Sequence, residues 1–409
     1  MSPRAQSSFA ALRYRDFRLL WLGLIVSVTG SQMQFVAINW HVYLLTRSPL
    51  ALGLIGLFRA VPIIICSLAG GVVADALDRR KLLVVTQFVM LSSAALLAAF
   101  TVAGLQSVWP IYVLSGLASA ASAFDTPARQ SLMPALVPAE VFPNAVSLGI
   151  LVFNVATITG PALGGLLLAE SGPALIYGLN ALSFVAVIAA LLLMRTSGDP
   201  ERDDNSGSGL SLAALKEGFR FVWKTPIIVQ TMTLDFAATF FASATLLLPI
   251  FAKERLHVDA RGYGFLAAAP AIGSVITALV MARLGSFRKQ GRLVVASVAI
   301  FGFATAGFGV STVFWFSLLM LAVTGAADTV STVLRQTIRQ LVTPNPLRGR
   351  MTSINMMFFM GGPQLGELEA GLLAVVIGAA LSVVIGGMGS VASAAVAAIK
   401  SRSLMDFEV

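Results

Sequence analysis

Three observations predict an all-α integral membrane fold of twelve transmembrane helices in two pseudo-symmetric six-helix bundles. The chain has 409 residues, of which 57% are hydrophobic and only 11% charged, and its mean hydropathy is +0.86. An ordinary soluble domain carries about 25% charge. Apolar runs repeatedly reach the ~20 residues that a helix needs to cross a bilayer. The basic residues gather on alternate connections between those runs.

The runs cover residues 18–45, 50–76, 82–104, 109–130, 144–169, 174–195, 225–250, 262–284, 292–311, 313–336, 353–376 and 378–399. Helices fit because they satisfy their own backbone hydrogen bonds in lipid. The alternating segments of roughly ten residues that mark a transmembrane β-barrel are not seen. An even number of spans puts both termini on one side. With that side cytoplasmic, 23 of the 28 Lys and Arg residues fall inside, and Arg47, Lys253, Arg255 and Arg261 fall outside. This bias predicts cytoplasmic termini. It also accounts for the net charge of +9 through anionic headgroups, so no nucleic acid is implied.

The segment 196–209, TSGDPERDDNSGSG, reads as a flexible linker. Residues 211–224 follow, with Leu212, Leu215, Phe219, Val222 and Trp223 at helical spacing and Lys216, Arg220 and Lys224 between them. They fit a basic amphipathic helix at the inner membrane surface, or an extension of the next span. The expected organisation is a bundle over 1–195, a cytoplasmic linker over 196–224 and a second bundle over 225–409. An internal repeat supports the halves: RQSLMPALVP (129–138) and RQTIRQLVTP (335–344) align at an offset of 206 residues, which also puts Ser147 on Ser353.

Enzyme classes find no support. The one cysteine, Cys66, excludes an internal disulfide and a cysteine metal site, and His41 and His257 are too few for a histidine metal cluster. No GxxxxGK[ST] nucleotide loop or nucleophile–base set is present. No cofactor, metal or catalytic residue is expected, and the first apolar run is expected to stay in the protein.

The residues that ask for a function are charges inside apolar runs: Arg59, Asp235, Asp328, Glu367 and Glu369. Asp235 lies near mid-membrane and suits either a proton site or a cationic-substrate contact. Asp328 stands two turns before Arg335. Glu367 and Glu369 are about 200° apart around a helix and point to different faces. Gln34, Asn39, Asn154, Asn355 and Gln364 are polar groups unwelcome in lipid, and Met360 closes a Met–Phe run, so these suit a cavity lining or helix packing.

After the second span comes GGVVADALDRRKLLV, 70–84. Arg79, Arg80 and Lys81 read as positive-inside flanks or as donors to carbonyls at helix ends, and Asp75 as a charge facing a helix N-terminus. The set Gly71, Asp75, Arg79, Arg80 and Lys81 resembles the loop signature of the major facilitator superfamily, with Asp78 where a second glycine usually stands. FDTPARQSLMPALVPAEVFPNAVSL (124–148) and GGPQLGELEAG (361–371) are similar to its enterobactin-exporter-like branch of siderophore and drug efflux proteins. GPALGG, with Gly160, Pro161, Gly164 and Gly165, is similar to the antiporter motif of drug exporters, where close glycines permit tight packing. Span four lacks the arginine between Trp109 and Phe124 that many proton-coupled antiporters carry.

The resemblance implies a monomeric secondary transporter of a bacterial inner membrane, exporting a small amphipathic molecule by alternating access with protons as the coupling ion. An uptake symporter on the same fold and a non-transporting sensor or scaffold are the alternatives. The family arrangement also puts span two beside span eleven. Arg59 then lies roughly 24 Å above Asp75, and Glu367 and Glu369 lie roughly 22 and 25 Å above Thr352. The matched heights predict an outer gate between Arg59 and one glutamate, with Asp75 and its basic loop as the inner gate. A static ion pair that fixes helix register is the other reading of the same charges.

Overall fold

A computed structural model describes residues 9–104, 106–196, 212–243, 245–285, 287–344 and 347–408. Within the helices, the side chains at 67–72, 74–76, 212–216, 218, 349–350, 353 and 356–361 fall outside the described set. Every regular element among the described residues is helical. The first four long helices are α1 (Arg15–Thr46), α2 (Pro49–Ala76), α3 (Arg79–Val102) and α4 (Trp109–Leu132). Then come α5 (Phe142–Leu193), the short α6 (Leu212–Lys224) and α7 (Pro226–Phe241). The chain closes with α8 (Ala260–Leu284), α9 (Gln290–Val310), α10 (Phe314–Val342), α11 (Arg348–Ile377) and α12 (Ala379–Lys400). Among the described residues, nine helical stretches are long and apolar enough to cross a membrane.

Two elements differ from the simple spans read in the sequence. Helix α5 has 52 residues, which would extend about 78 Å as one rod, against about 30 Å of hydrocarbon. It is broken at Gly172, whose φ of 72° and ψ of −177° suit glycine alone. The break divides it into passes matching 144–169 and 174–195. The seventh span is the other case. A continuous helix was expected over 225–250, but α7 ends at Phe241, and Thr245–Leu247, Leu248–Ile250 and Phe251–Arg255 continue as short 3-10, α and π turns. Pro249 stands in the short α turn, where its ring and missing N–H disfavour a continuous α-helix through 245–248.

The chain forms two compact units. The first comprises Met1–Leu45 and Phe58–Gly207. Its core gathers Phe17, Leu20, Leu83, Leu132, Leu148, Val187 and Leu191. Polar ties stitch its helices: Asn180 Nδ2 donates to Gln34 Oε1 at 2.8 Å, and Asp16 accepts from Arg195 N, Thr196 N and Thr196 Oγ1 at 2.7–2.9 Å. The last set fastens the end of α5 to the start of α1. GPALGG packs on α1, where a Cβ added to Gly164 would lie 3.1 Å from Met33 Cα.

The second unit comprises Thr46–Leu57 and Ser208–Val409. A division at the linker alone would leave Thr46–Leu57 with the first unit. Gly53 shows why it packs with the second: a Cβ there would lie 3.2 Å from both Gly371 Cα and Glu367 O on α11. In α6, Val222 is buried in the unit's core while Trp223 is 74% exposed, the disposition of an interfacial helix with an aromatic anchor. The linker residues 197–211 lie outside the described residues.

Small residues let the helices of this unit approach closely. A Cβ at Gly325 of α10 would collide with the Pro270 carbonyl of α8, whereas one at Gly178 meets nothing within 4 Å. Overpacking of this kind costs about 1–3 kcal/mol. Gly325→Ala should therefore lower the thermal midpoint of the purified protein by several degrees and Gly178→Ala should leave it unchanged, as read by intrinsic fluorescence on heating.

Candidate functional site

The basic loop between α2 and α3 is built on helix ends. Asp78 caps α3, its Oδ1 accepting from Arg80 N at 2.9 Å and Lys81 N at 3.2 Å. The cap fixes the arginines just inside α3, and each reaches the C-terminal end of another helix. Arg79 Nη1 donates to Ser131 O of α4 at 3.1 Å, and Arg80 Nη2 donates to Leu192 O of α5 at 2.9 Å. Carbonyls at helix C-termini lack intrahelical partners and carry partial negative charge, so guanidinium groups suit them. The side chains of Gly71 and Asp75 lie outside the described residues.

Each unit also contains a buried acid–arginine centre. In the first, Asp125 of α4 pairs with Arg129 one turn later. Its Oδ1 accepts from Gln87 Nε2 at 2.7 Å and Thr86 Oγ1 at 3.2 Å, both on α3. In the second, Asp235 of α7 and Arg335 of α10 form an ion pair at 2.7 Å, with side chains 3% and 2% exposed. Asp328, also on α10, lies 4.0 Å from the same guanidinium and its side chain is 47% exposed. Arg335 Nη2 further donates to Thr332 Oγ1 at 3.1 Å, and Arg339 is buried one turn beyond. One guanidinium thus stands between two carboxylates, holding one tightly and the other loosely.

The looser carboxylate faces a cavity of about 230 Å³ lined by residues of α7, α8, α9, α10 and α11. Its wall includes Thr239 and Ser243 from the end of α7 and Thr245 from the broken segment. Non-helical backbone at membrane depth is tolerated where it lines such a space. A smaller space of about 10 Å³ shares Thr239, Phe301 and Asp328 with the cavity and reaches Asp235, Ser331 and Arg335. Asp235 therefore sits behind the cavity and Asp328 in its wall.

The other expected site residues distribute as follows. Glu367 and Glu369 point apart. Glu367 packs on the first turns of α2, where a Cβ at Gly56 would lie 2.7 Å from its Oε2. Glu369 lines an apolar groove with Phe240, Leu365, Leu372 and Val376. Arg59 lies over the Phe35 ring, 4.9 Å from its centroid. Gln34 is committed to Asn180. Asn39 is fully buried, and neither of its amide atoms has a hydrogen-bond partner among the described residues. Asn154, Asn355 and Gln364 are half-buried, and the Met360 side chain lies outside the described residues. Arg335, Arg339 and Asp125 were not picked out as site residues. The alignment of Arg129 with Arg335 in the internal repeat was the available signal for the arginines.

Bilayer-length helices, buried ion pairs and a polar cavity suit a membrane transporter of the major facilitator class. The chain belongs to the transmembrane secretion effector family, whose sequence model matches residues 6–407. It is similar to the enterobactin exporter EntS of Salmonella typhimurium, 26% identical over 382 residues that span 92% of this chain and 89% of the relative. The EntS of Escherichia coli O81 is 26% identical over 380 residues, 91% and 88% of the two chains. Among solved structures, the nucleoside transporter NupG matches with a TM-score of 0.70 at 14% identity over 96% of this chain and 99% of that one. A bacterial homologue of the iron transporter ferroportin in its inward-facing state gives 0.64 at 17% over 93% and 98%. These structures show the fold.

Removing one member of a buried ion pair strands the other charge, at a cost of about 3–5 kcal/mol. Asp235→Asn and Arg335→Gln should each lower the thermal midpoint strongly. The double variant should be more stable than the sum of the single effects predicts, because no lone charge remains. Thermal unfolding of the four proteins checks this, and strict additivity would show that the two groups do not interact.

Proposed function

We propose that the protein exports a small amphipathic molecule, siderophore- or drug-like, across a bacterial inner membrane by proton-coupled antiport with alternating access. The observation that carries this reading is continuous similarity to enterobactin exporters over nine-tenths of the chain, through both halves and the loop between them. Both termini face the cytoplasm in this reading, in keeping with the charge bias of the loops, and the protein works as a monomer.

The arginine contacts support an inner gate. Arg79 and Arg80 bind carbonyls at the ends of α4 and α5, contacts that tie helix ends together and release them when the gate opens, and Gly71, Asp75 and Lys81 complete the gate in this reading. Arg59 with Glu367 or Glu369 forms the outer gate, and protonating the glutamate weakens it. Gly160, Pro161, Gly164 and Gly165 are the close-packed surface on which α1 and α5 meet, and their packing against α1 supports that role. Asp235, paired to Arg335, belongs to the proton-coupling machinery, since changing the charge of a neighbouring acid alters the balance of the buried centre.

The test is export from cells that lack their own exporters, over a panel of catecholate siderophores and lipophilic amines. Expression should raise the extracellular level of at least one compound several-fold, and a protonophore should abolish the gain. Unchanged distribution of every compound with normal membrane insertion would contradict transport, and raised intracellular levels would reverse its direction.

A further inference from the structure

We propose that the cavity of the second unit is a binding site for the ammonium group of a small organic cation, with Asp328 as its counter-charge. This deepens the export reading by naming a substrate class.

Six hydroxyl side chains line the cavity, and five of them commit their proton to main-chain carbonyls. Thr239, Ser243, Ser274, Thr305 and Thr324 all line it. Each spends its hydroxyl proton on a main-chain carbonyl: Thr239 on Asp235 O, Ser243 on Pro363 O, Ser274 on Gly325 O, Thr305 on Phe301 O and Thr324 on Leu321 O, at 2.6–3.0 Å. A hydroxyl has one proton, so lone pairs remain to face the cavity. An ammonium group has three donors and no acceptor, and it matches such a wall. A carboxylate, phosphate or catecholate ligand would meet mostly acceptors.

Charge agrees with hydrogen bonding. Asp328 is the one charged residue in the described lining. The charged groups behind it are Asp235 on α7 and Arg335 and Arg339 on α10. Arg335 is engaged by Asp235 at 2.7 Å and stands 4.0 Å from Asp328. Asp235 is enclosed, while Asp328 keeps 47% of its side chain open. Phe301 and Phe308 complete the wall with aromatic surface, which attracts cations when a ring face is offered.

A second observation points to a ligand-accepting space. Ser331 is 2% exposed, and its Oγ has no hydrogen-bond partner among the described residues. Nε of Arg335 is in the same condition. Both residues border the small space of about 10 Å³ behind Asp328, near the lower limit of room for one water molecule. Polar groups with spare valence thus continue inward from the cavity. At about 230 Å³ the cavity is smaller than the roughly 300–1,000 Å³ of drug-sized sites, so the ligand portion it takes is one amine carrying one ring. A proton on Asp328 neutralises the same carboxylate, so proton and organic cation exclude each other at this position.

The test uses the full-length protein in lipid nanodiscs and isothermal titration with two probes of equal shape, phenethylammonium and 2-phenylethanol. The wild type should bind the ammonium at least tenfold more tightly than the alcohol. Asp328→Asn should lose at least tenfold for the ammonium and little for the alcohol, and Asp328→Glu should retain most of the binding. Equal affinity for the two probes, which needs no variant to measure, would overturn the proposal. So would undiminished ammonium binding by folded Asp328→Asn, or no ammonium binding by the folded wild type at millimolar concentration. Binding is read without transport, so failure here leaves the export assay standing, and a failed export assay leaves a positive titration standing.

Discussion

Within the second unit, the Asp235 carboxylate and the Arg335 guanidinium sit 2.7 Å apart with almost no exposed surface. Neither charge is tolerable there alone, and their mutual attraction is strong only because water is excluded. That constraint ties α7 to α10 through the Asp235–Arg335 pair. It also determines what happens to the next acid along α10. With the guanidinium engaged, Asp328 is left at 4.0 Å with its side chain turned to open space. The segment after Phe241 contributes Ser243 and Thr245 to the wall of that space, and α8 and α10 approach closely at Gly325.

The first unit meets the same constraint differently. Arg129 and Arg335 stand at equivalent places, 206 residues apart. Arg129 is matched by an acid on its own helix, and that acid is further satisfied by Thr86 and Gln87. No second acid stands beside that arginine among the described residues. Arg335 takes its acid from a different helix and has a second acid beside it. Both arginines are thus paired with an acid, and among the described residues the second unit adds Asp328, a carboxylate that lines a cavity.

Much of this was legible in the sequence. Apolar run length pointed to helices of bilayer length, because helix rise and bilayer thickness leave little freedom. The opposed directions of Glu367 and Glu369 followed from 100° per residue. The basic loop after α2 was visible as Arg79 and Arg80 beside possible helix ends, and the carbonyls they reach are on α4 and α5. Other features were hidden for identifiable reasons. Asp235 and Arg335 are a hundred positions apart, and only packing reveals that they meet. The break in the seventh span begins after Phe241, two turns before Pro249, inside an apolar run that carries no mark of it. The polarity of the cavity rests on where five hydroxyl protons point, which composition does not encode.

The account stands on the claim that Asp328 is reachable from the cavity while Asp235 is sealed behind it. Cysteine accessibility tests that claim directly. In a Cys66→Ser background, which removes the single native thiol, Asp328→Cys and Asp235→Cys can be compared for their rate of modification by a small cationic methanethiosulfonate reagent in membranes. The account predicts that Asp328→Cys reacts at least tenfold faster. Equal rates, or faster modification at position 235, would contradict it.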